Sequence, residues 1–312
     1  MPIFTQLIKR EIIEHRAGIL ITPAIIAGLI ALILLYGVVS GSQIIRLGVD
    51  EAEIAQAMNQ LEMEADTATA KIVAIIAVMM LGFWLPLAMV GAFVAFFMLL
   101  GSLYDERAER TILFWKSMPV SDTMTVFAKF ITAALVIPLV IAVIAFILQL
   151  FGLTIFSIFS AANQLNLGAK IWTLAPMLTV WWTMLALVLL NVLWIAPVYG
   201  WLLLASAWAP RAPFLVAIVP IIALAVLEFL FLRSGHFIAE VMQRLTGQRM
   251  FSSLTQHVTH EAGASFQDIF SAHRIGLEEV AIGLSQPDLW IGLAVAAALF
   301  AGAIHIRRTK TL

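Results

Sequence analysis

Residues 72–101 read IVAIIAVMMLGFWLPLAMVGAFVAFFMLLG, a stretch without one charged side chain. A helix of this length crosses the ~30 Å hydrocarbon core of a bilayer with turns left over for tilting or emerging from it. Working outward, apolar runs at about 19–40, 126–152, 173–204, 214–232 and 289–306 repeat the pattern. The 312 residues are 62% hydrophobic and 12% charged, against about 25% charged in a soluble domain, so the chain could not cover itself with polar surface in water. The predicted fold is an all-α integral membrane protein: one transmembrane domain over residues 1–312, with six transmembrane helices. Pro23, Pro86, Pro138, Pro176, Pro197 and Pro220 fall inside these runs. Membrane helices tolerate proline because neighbours re-satisfy the freed carbonyls.

Lysine and arginine set the orientation. One side holds Lys9, Arg10, Arg16, Arg107, Arg110, Lys116, Lys129, Arg211, Arg307, Arg308 and Lys310; the other holds Arg46, Lys71, Lys170, Arg233, Arg244, Arg249 and Arg274. The excess predicts that both termini face the cytoplasm, with the chain multi-pass in the cell's inner (plasma) membrane. The opening MPIFTQLIKREIIEHR does not read as a cleaved signal peptide, because it mixes acids with bases and leads into a full-length span. On the outer side, residues 50–66 space Ile54, Met58, Leu61 and Ala65 at helical intervals opposite acids, predicting a short amphipathic helix. Residues 234–288, with Phe237, Val241 and Leu245 at four-residue steps, predict a helical extracytoplasmic cap.

The chain has no cysteine, which excludes disulfides, thiolate metal sites and cysteine nucleophiles. A net charge of −1 argues against a nucleic-acid partner. There is no phosphate-cradling G-x-x-x-x-G-K-[ST] loop, so no ATP is bound by this chain.

The apolar run ending at 101 is followed by SLYDERAERTILFWKSMPVSD, residues 102–122, part of a cytoplasmic loop over 102–125. Gly101-Ser102 predicts a break, with Ser102 and Asp105 in capping-box spacing. AERTILFWKS then predicts a short helix carrying Ile112, Leu113 and Trp115 as an apolar group and Glu109, Arg110 and Lys116 as a charged one. Pro119 stops it, and Ser121 or Asp122 caps the next span. Two readings fit: an interfacial helix anchored by Trp115 among membrane lipid headgroups, or a rigid knob that docks into a soluble partner.

DERAERTILFWKSMPVSD resembles the corresponding loop of the type-2 ABC-transporter permease family, where an acidic-basic cluster leads through an apolar patch to a P-[VI]-S ending. The plan of six spans, both termini inside, an N-terminal amphipathic segment and a large outer segment before the last span is also similar. The resemblance implies that the loop is a coupling helix seated in a separate ATPase subunit. On the matching positions it implies that Asp105, Glu106, Arg107, Glu109, Arg110, Thr111, Trp115, Lys116, Ser117, Pro119 and Ser121 make that contact. It further implies two ATPase copies holding ATP and magnesium, a second permease chain (a homodimer by default, or a sister permease), and no enzymatic activity in this chain itself. Residues 1–18 resemble the family's elbow helix. Phe4, Leu7, Ile8 and Ile12 fall on one side and Lys9 and Arg16 opposite, although Glu11 interrupts the stripe and Ile13 points away.

Glu228 reads as the one ionisable residue clearly inside a span and Asn191 as a mid-span polar residue, which makes both candidates for a transport pathway. His257 and His260 lie one helical turn apart, a weak metal candidate that lacks the H-E-x-x-H form. The alternatives to a permease are a secondary transporter or channel, which usually carries several midplane polar groups, and an intramembrane lipid-modifying enzyme, for which no catalytic constellation is evident. The apolar spans mildly favour an amphipathic or lipid-like cargo.

Overall fold

The computed structural model describes residues 3–40, 65–162, 172, 177–246, 281 and 284–309, with backbone alone for 65–81, 177–184 and 187. The expected helix at 50–66 up to residue 64, most of the cap at 234–288, and His257 and His260 lie outside the described residues; Ala65 and Asp66 open a longer helix. Among the described residues there is no strand, and six helices are long and apolar enough to cross a membrane. The protein is a multi-pass membrane protein of all-α class.

Helix α1 (Ile3–Glu14) leads through a wide π turn (Ala17–Ile21) into α2 (Thr22–Val39). Helix α3 (Ala65–Ala108) is followed by the short α4 (Thr111–Ser117). Helix α5 (Asp122–Ile131), a second π turn (Thr132–Val136) and α6 (Ile137–Ala162) form one continuous rod. Then come α7 (Met177–Trp208), α8 (Pro213–Leu232), the amphipathic α9 (His236–Thr246) and α10 (Pro287–Thr309). Both π turns sit just before a proline, Pro23 and Pro138. Proline lacks the N–H that would bond the carbonyl four residues back, and its ring crowds that carbonyl; a widened turn relieves both. Pro86, Pro197 and Pro220 are carried inside helices without such a turn.

The expected break at Gly101-Ser102 does not occur. Helix α3 runs on to Ala108, and Ser102 caps nothing: its hydroxyl donates back to the Leu99 carbonyl at 2.9 Å and is buried. The capping-box spacing is present, but packing against α7 keeps this stretch helical. The third rod likewise extends past the expected 152 to Ala162.

Helices α3, α6 and α7 form the middle of the bundle. Half of the most apolar window of the α7 span is buried, against 6% for α8, which lies at the periphery. Leu87, Leu99, Leu103, Ile137, Ile141, Leu148 and Leu203 fill the core. Leu32, Ile33, Phe97, Ile147, Phe229 and Phe231 point outward, as suits side chains solvated by lipid. The most extensive helix pair is α7 with α10. At its centre Gly200 has no room for a side chain: a Cβ there would meet the Ala296 carbonyl at 3.3 Å and Leu299 at 3.2 Å. Small residues at such crossings let backbones approach closely. Gly200→Leu is therefore expected to part α7 from α10 and destabilise the protein by about 1–3 kcal/mol; a thermal midpoint in detergent equal to wild type would refute the close-packed seam.

Candidate functional site

At one end of the bundle, four helices each place a charged residue on an otherwise mostly apolar buried face. On α3 the buried face runs Leu99, Ser102, Leu103, Glu106; on α5 it runs Thr125, Val126, Ala128, Lys129. On α10 it is Ala303 and Arg307, and on α1 Leu7 and Glu11. The four charged side chains, Glu11, Glu106, Lys129 and Arg307, are each at most 3% exposed. They meet as two acids and two bases, the balance that burial demands. Lys129 Nζ donates to Glu11 Oε1 at 2.9 Å and lies 3.0 Å from Glu106 Oε1. Arg307 Nη1 donates to Glu106 Oε2, while its Nε donates to Asp122 Oδ1 at 3.0 Å. One network thus joins α1, α3, α5 and α10.

Glu11 therefore does not interrupt the buried stripe of α1; with Leu7 it forms the centre of that stripe, because Lys129 waits opposite. Ile13 does point away and is exposed. Phe4 stacks on Phe127 of α5, with ring centroids 5.9 Å apart, and ties the start of α1 to the same surface.

The loop helix α4 stands directly on this network. Arg110, at its root, has φ 59°, a left-handed conformation that costs a non-glycine residue ~1–2 kcal/mol and fixes the angle between α3 and α4. Ile112 is fully buried. Trp115 is half-buried and takes the Arg10 guanidinium on its ring at 3.7 Å, a cation–π contact that adds α1 to the support of α4. Lys116 Nζ donates to the Arg308 carbonyl at 3.2 Å, at the end of α10. Met118 is extended, as a residue before proline should be, and the Ser121 hydroxyl accepts from Met124 N–H to cap α5. Ser121→Ala is expected to cost about 1 kcal/mol of stability, read as a lower thermal midpoint; an unchanged midpoint would show that the cap is redundant with the neighbouring packing.

The structure divides the residues assigned to the loop contact. Glu106 is internal. Arg107 Nη2 donates to the carbonyls of Ser206 at 2.6 Å and Ala209 at 3.1 Å, where it caps α7. The Thr111 hydroxyl donates to the Glu106 carbonyl at 3.2 Å and the Ser117 hydroxyl to that of Phe114 at 2.7 Å. Asp105, Glu109, Arg110, Lys116, Ser117, Pro119 and Ser121 are exposed. With them stand Leu113, Phe114 and Met118, large apolar side chains 40–56% exposed at the tip. Phe114 and Met118 were absent from the expected apolar group, and Ile112 belongs to the interior. In the sequence Lys129 and Arg307 bear only on orientation and Asp122 only on a candidate cap, although a charged residue in register with the apolar face of its helix is a legible signal.

Glu228, at the opposite end, accepts hydrogen bonds from Ser234 Oγ at 2.8 Å and from the backbone N–H groups of His236 and Phe237 at 2.9 Å each, so that it caps the N-terminus of α9. Asn191 is half-buried in α7. Among the described residues no group of three or more histidines and acids is placed to hold a metal.

Neither family models, nor curated proteins, nor solved structures match this chain.

Proposed function

We propose that this chain is the membrane-spanning permease subunit of an ATP-driven exporter of the type-2 ABC class. The observation that carries the reading is the seating of α4. An exposed apolar tip of Leu113, Phe114 and Met118, ringed by Glu109, Arg110 and Lys116, sits on a buried ionic joint that grips four helices. A soluble partner pressing on that tip pushes on the ends of α1, α3, α5 and α10 together, which is what a coupling helix requires. A plain interfacial anchor needs no such joint.

On this reading the partner is a separate ATPase in two copies, which binds ATP and magnesium, and a second permease chain completes the transporter in the plasma membrane with both termini cytoplasmic. The pathway runs along the permease pair, and the apolar spans suit an amphipathic or lipid-like cargo.

Co-purification in nanodiscs with the ATPase encoded beside this gene tests the proposal. A two-plus-two complex with ATPase activity that depends on this chain is the expected result. No association with any co-expressed ATPase would move a secondary transporter to the front.

A further inference from the structure

At the end of the bundle opposite the ionic joint, α9 drives one arginine into the seam between α7 and α10. Arg244 Nε donates to Glu240 Oε1 at 2.9 Å and its Nη2 to the Asp288 carbonyl at 2.8 Å. Its guanidinium carbon lies 5.0 Å over the ring of Trp194, which is 2% exposed. Gly292 makes the slot, since a Cβ at that position would collide with Nη1. Two donors in this seam, Arg244 Nη1 and Trp194 Nε1, are buried and find no acceptor among the described residues; the amide oxygen of Gln243, next to Arg244 in the chain, is likewise buried and finds no donor there. Leaving one such group without a partner is costly, and native proteins rarely do it.

The position narrows what would satisfy them. Asp288 lies in the first turn of α10, where that span begins, so the seam is at headgroup depth, the level at which tryptophan and arginine meet lipid phosphate. Beside it Met242, Leu245, Trp290 and Ile291 are 49–61% exposed, an apolar surface on which acyl chains can lie. We propose that the Arg244–Trp194 seam is a binding site for a phospholipid headgroup, with the phosphodiester oxygens accepting from Arg244 Nη1 and Trp194 Nε1. Arg244 is already ion-paired through Nε with Glu240, so recognition is by hydrogen bonding from the remaining donors, and zwitterionic and anionic phospholipids bind alike.

The test is native mass spectrometry of the full chain released from nanodiscs of phosphatidylethanolamine and phosphatidylglycerol, which counts tightly held lipid. Wild type is expected to keep one phospholipid of either class. Arg244→Gln lowers its occupancy at least about tenfold, and Trp194→Phe, which removes the N–H and keeps a ring, lowers it several-fold. Arg233→Gln, on an exposed arginine at the end of α8, leaves it unchanged. Helical circular dichroism and a monodisperse profile establish that each variant is folded. Equal occupancy in folded Arg244→Gln and wild type overturns the site, as does an unaffected Trp194→Phe. Displacement of the adduct by inorganic phosphate overturns the lipid assignment in favour of a free phosphate.

Discussion

Lys129→Met is expected to be the most damaging single substitution in this protein. It removes the one ammonium shared by Glu11 and Glu106 and leaves two buried carboxylates facing each other, with Arg307 on Glu106 and only the longer contacts of Arg10, at 3.9 Å to Glu11 and 3.8 Å to Glu106, to answer them. Breaking a buried pair from one side costs ~3–5 kcal/mol, because the stranded charge has neither water nor partner. The expected outcome is a steep fall in the thermal midpoint in detergent, or failure to accumulate in the membrane. The double variant Glu11→Gln with Lys129→Met removes charge from both sides and leaves Glu106 with Arg307 and Arg307 with Asp122. It should regain more than half of the loss, since neutralising both ends of a buried pair is often nearly free. A Lys129→Met protein as stable as wild type would mean that water reaches the joint and that the joint does not hold the four helices together.

The second large effect concerns binding. If the chain is the permease proposed above, Phe114→Glu, combined with Leu113→Ser, is expected to abolish capture of an ATPase subunit while leaving the fold intact. Both side chains are more than half exposed and neither supports the core. Phe114 touches Trp115 edge-on at 5.3 Å, so the bland cost to stability is within about 0.5 kcal/mol, as at most surface sites. At an interface the same side chains are central apolar anchors, and losing such an anchor costs ~2–4 kcal/mol, about 30- to 1000-fold in affinity. The measurement is the dissociation constant for the purified ATPase, paired with the thermal midpoint. Unchanged affinity would show that α4 is a lipid anchor and not a coupling element. Loss of affinity together with loss of stability would place Phe114 inside the fold. Glu106→Ala is the instructive contrast, because it should weaken binding only by loosening the joint beneath α4, and with a large loss of stability.

Composition and apolar length sufficed for the class of this protein and for its six membrane-crossing helices. Hydrocarbon tolerates little besides long apolar helices, so the solvent does the selecting and any reader of the sequence can repeat it. The end of α4 at Pro119 and the cap at Ser121 were equally legible, because both depend on neighbours within a few residues. What only the tertiary structure decided lies in the charges. Glu11 reads as a flaw in the stripe of α1 and Glu106 as one of many acids in a loop. Lys129 and Arg307 read as basic residues at the ends of spans. Each is unexplained alone, and each acquires a partner from a helix about a hundred residues or more away in the chain, Glu11 with Lys129 and Glu106 with Arg307, while Lys129 also bridges to Glu106 of the preceding span. The break expected at Gly101-Ser102 failed for the same reason. A local capping pattern was outweighed by burial against α7, where the hydroxyl of Ser206 accepts from the backbone N–H groups of Leu103 and Tyr104 at 3.0 Å each. Local rules describe a helix end; whether a given charge or glycine ends the helix depends on what another helix brings against it.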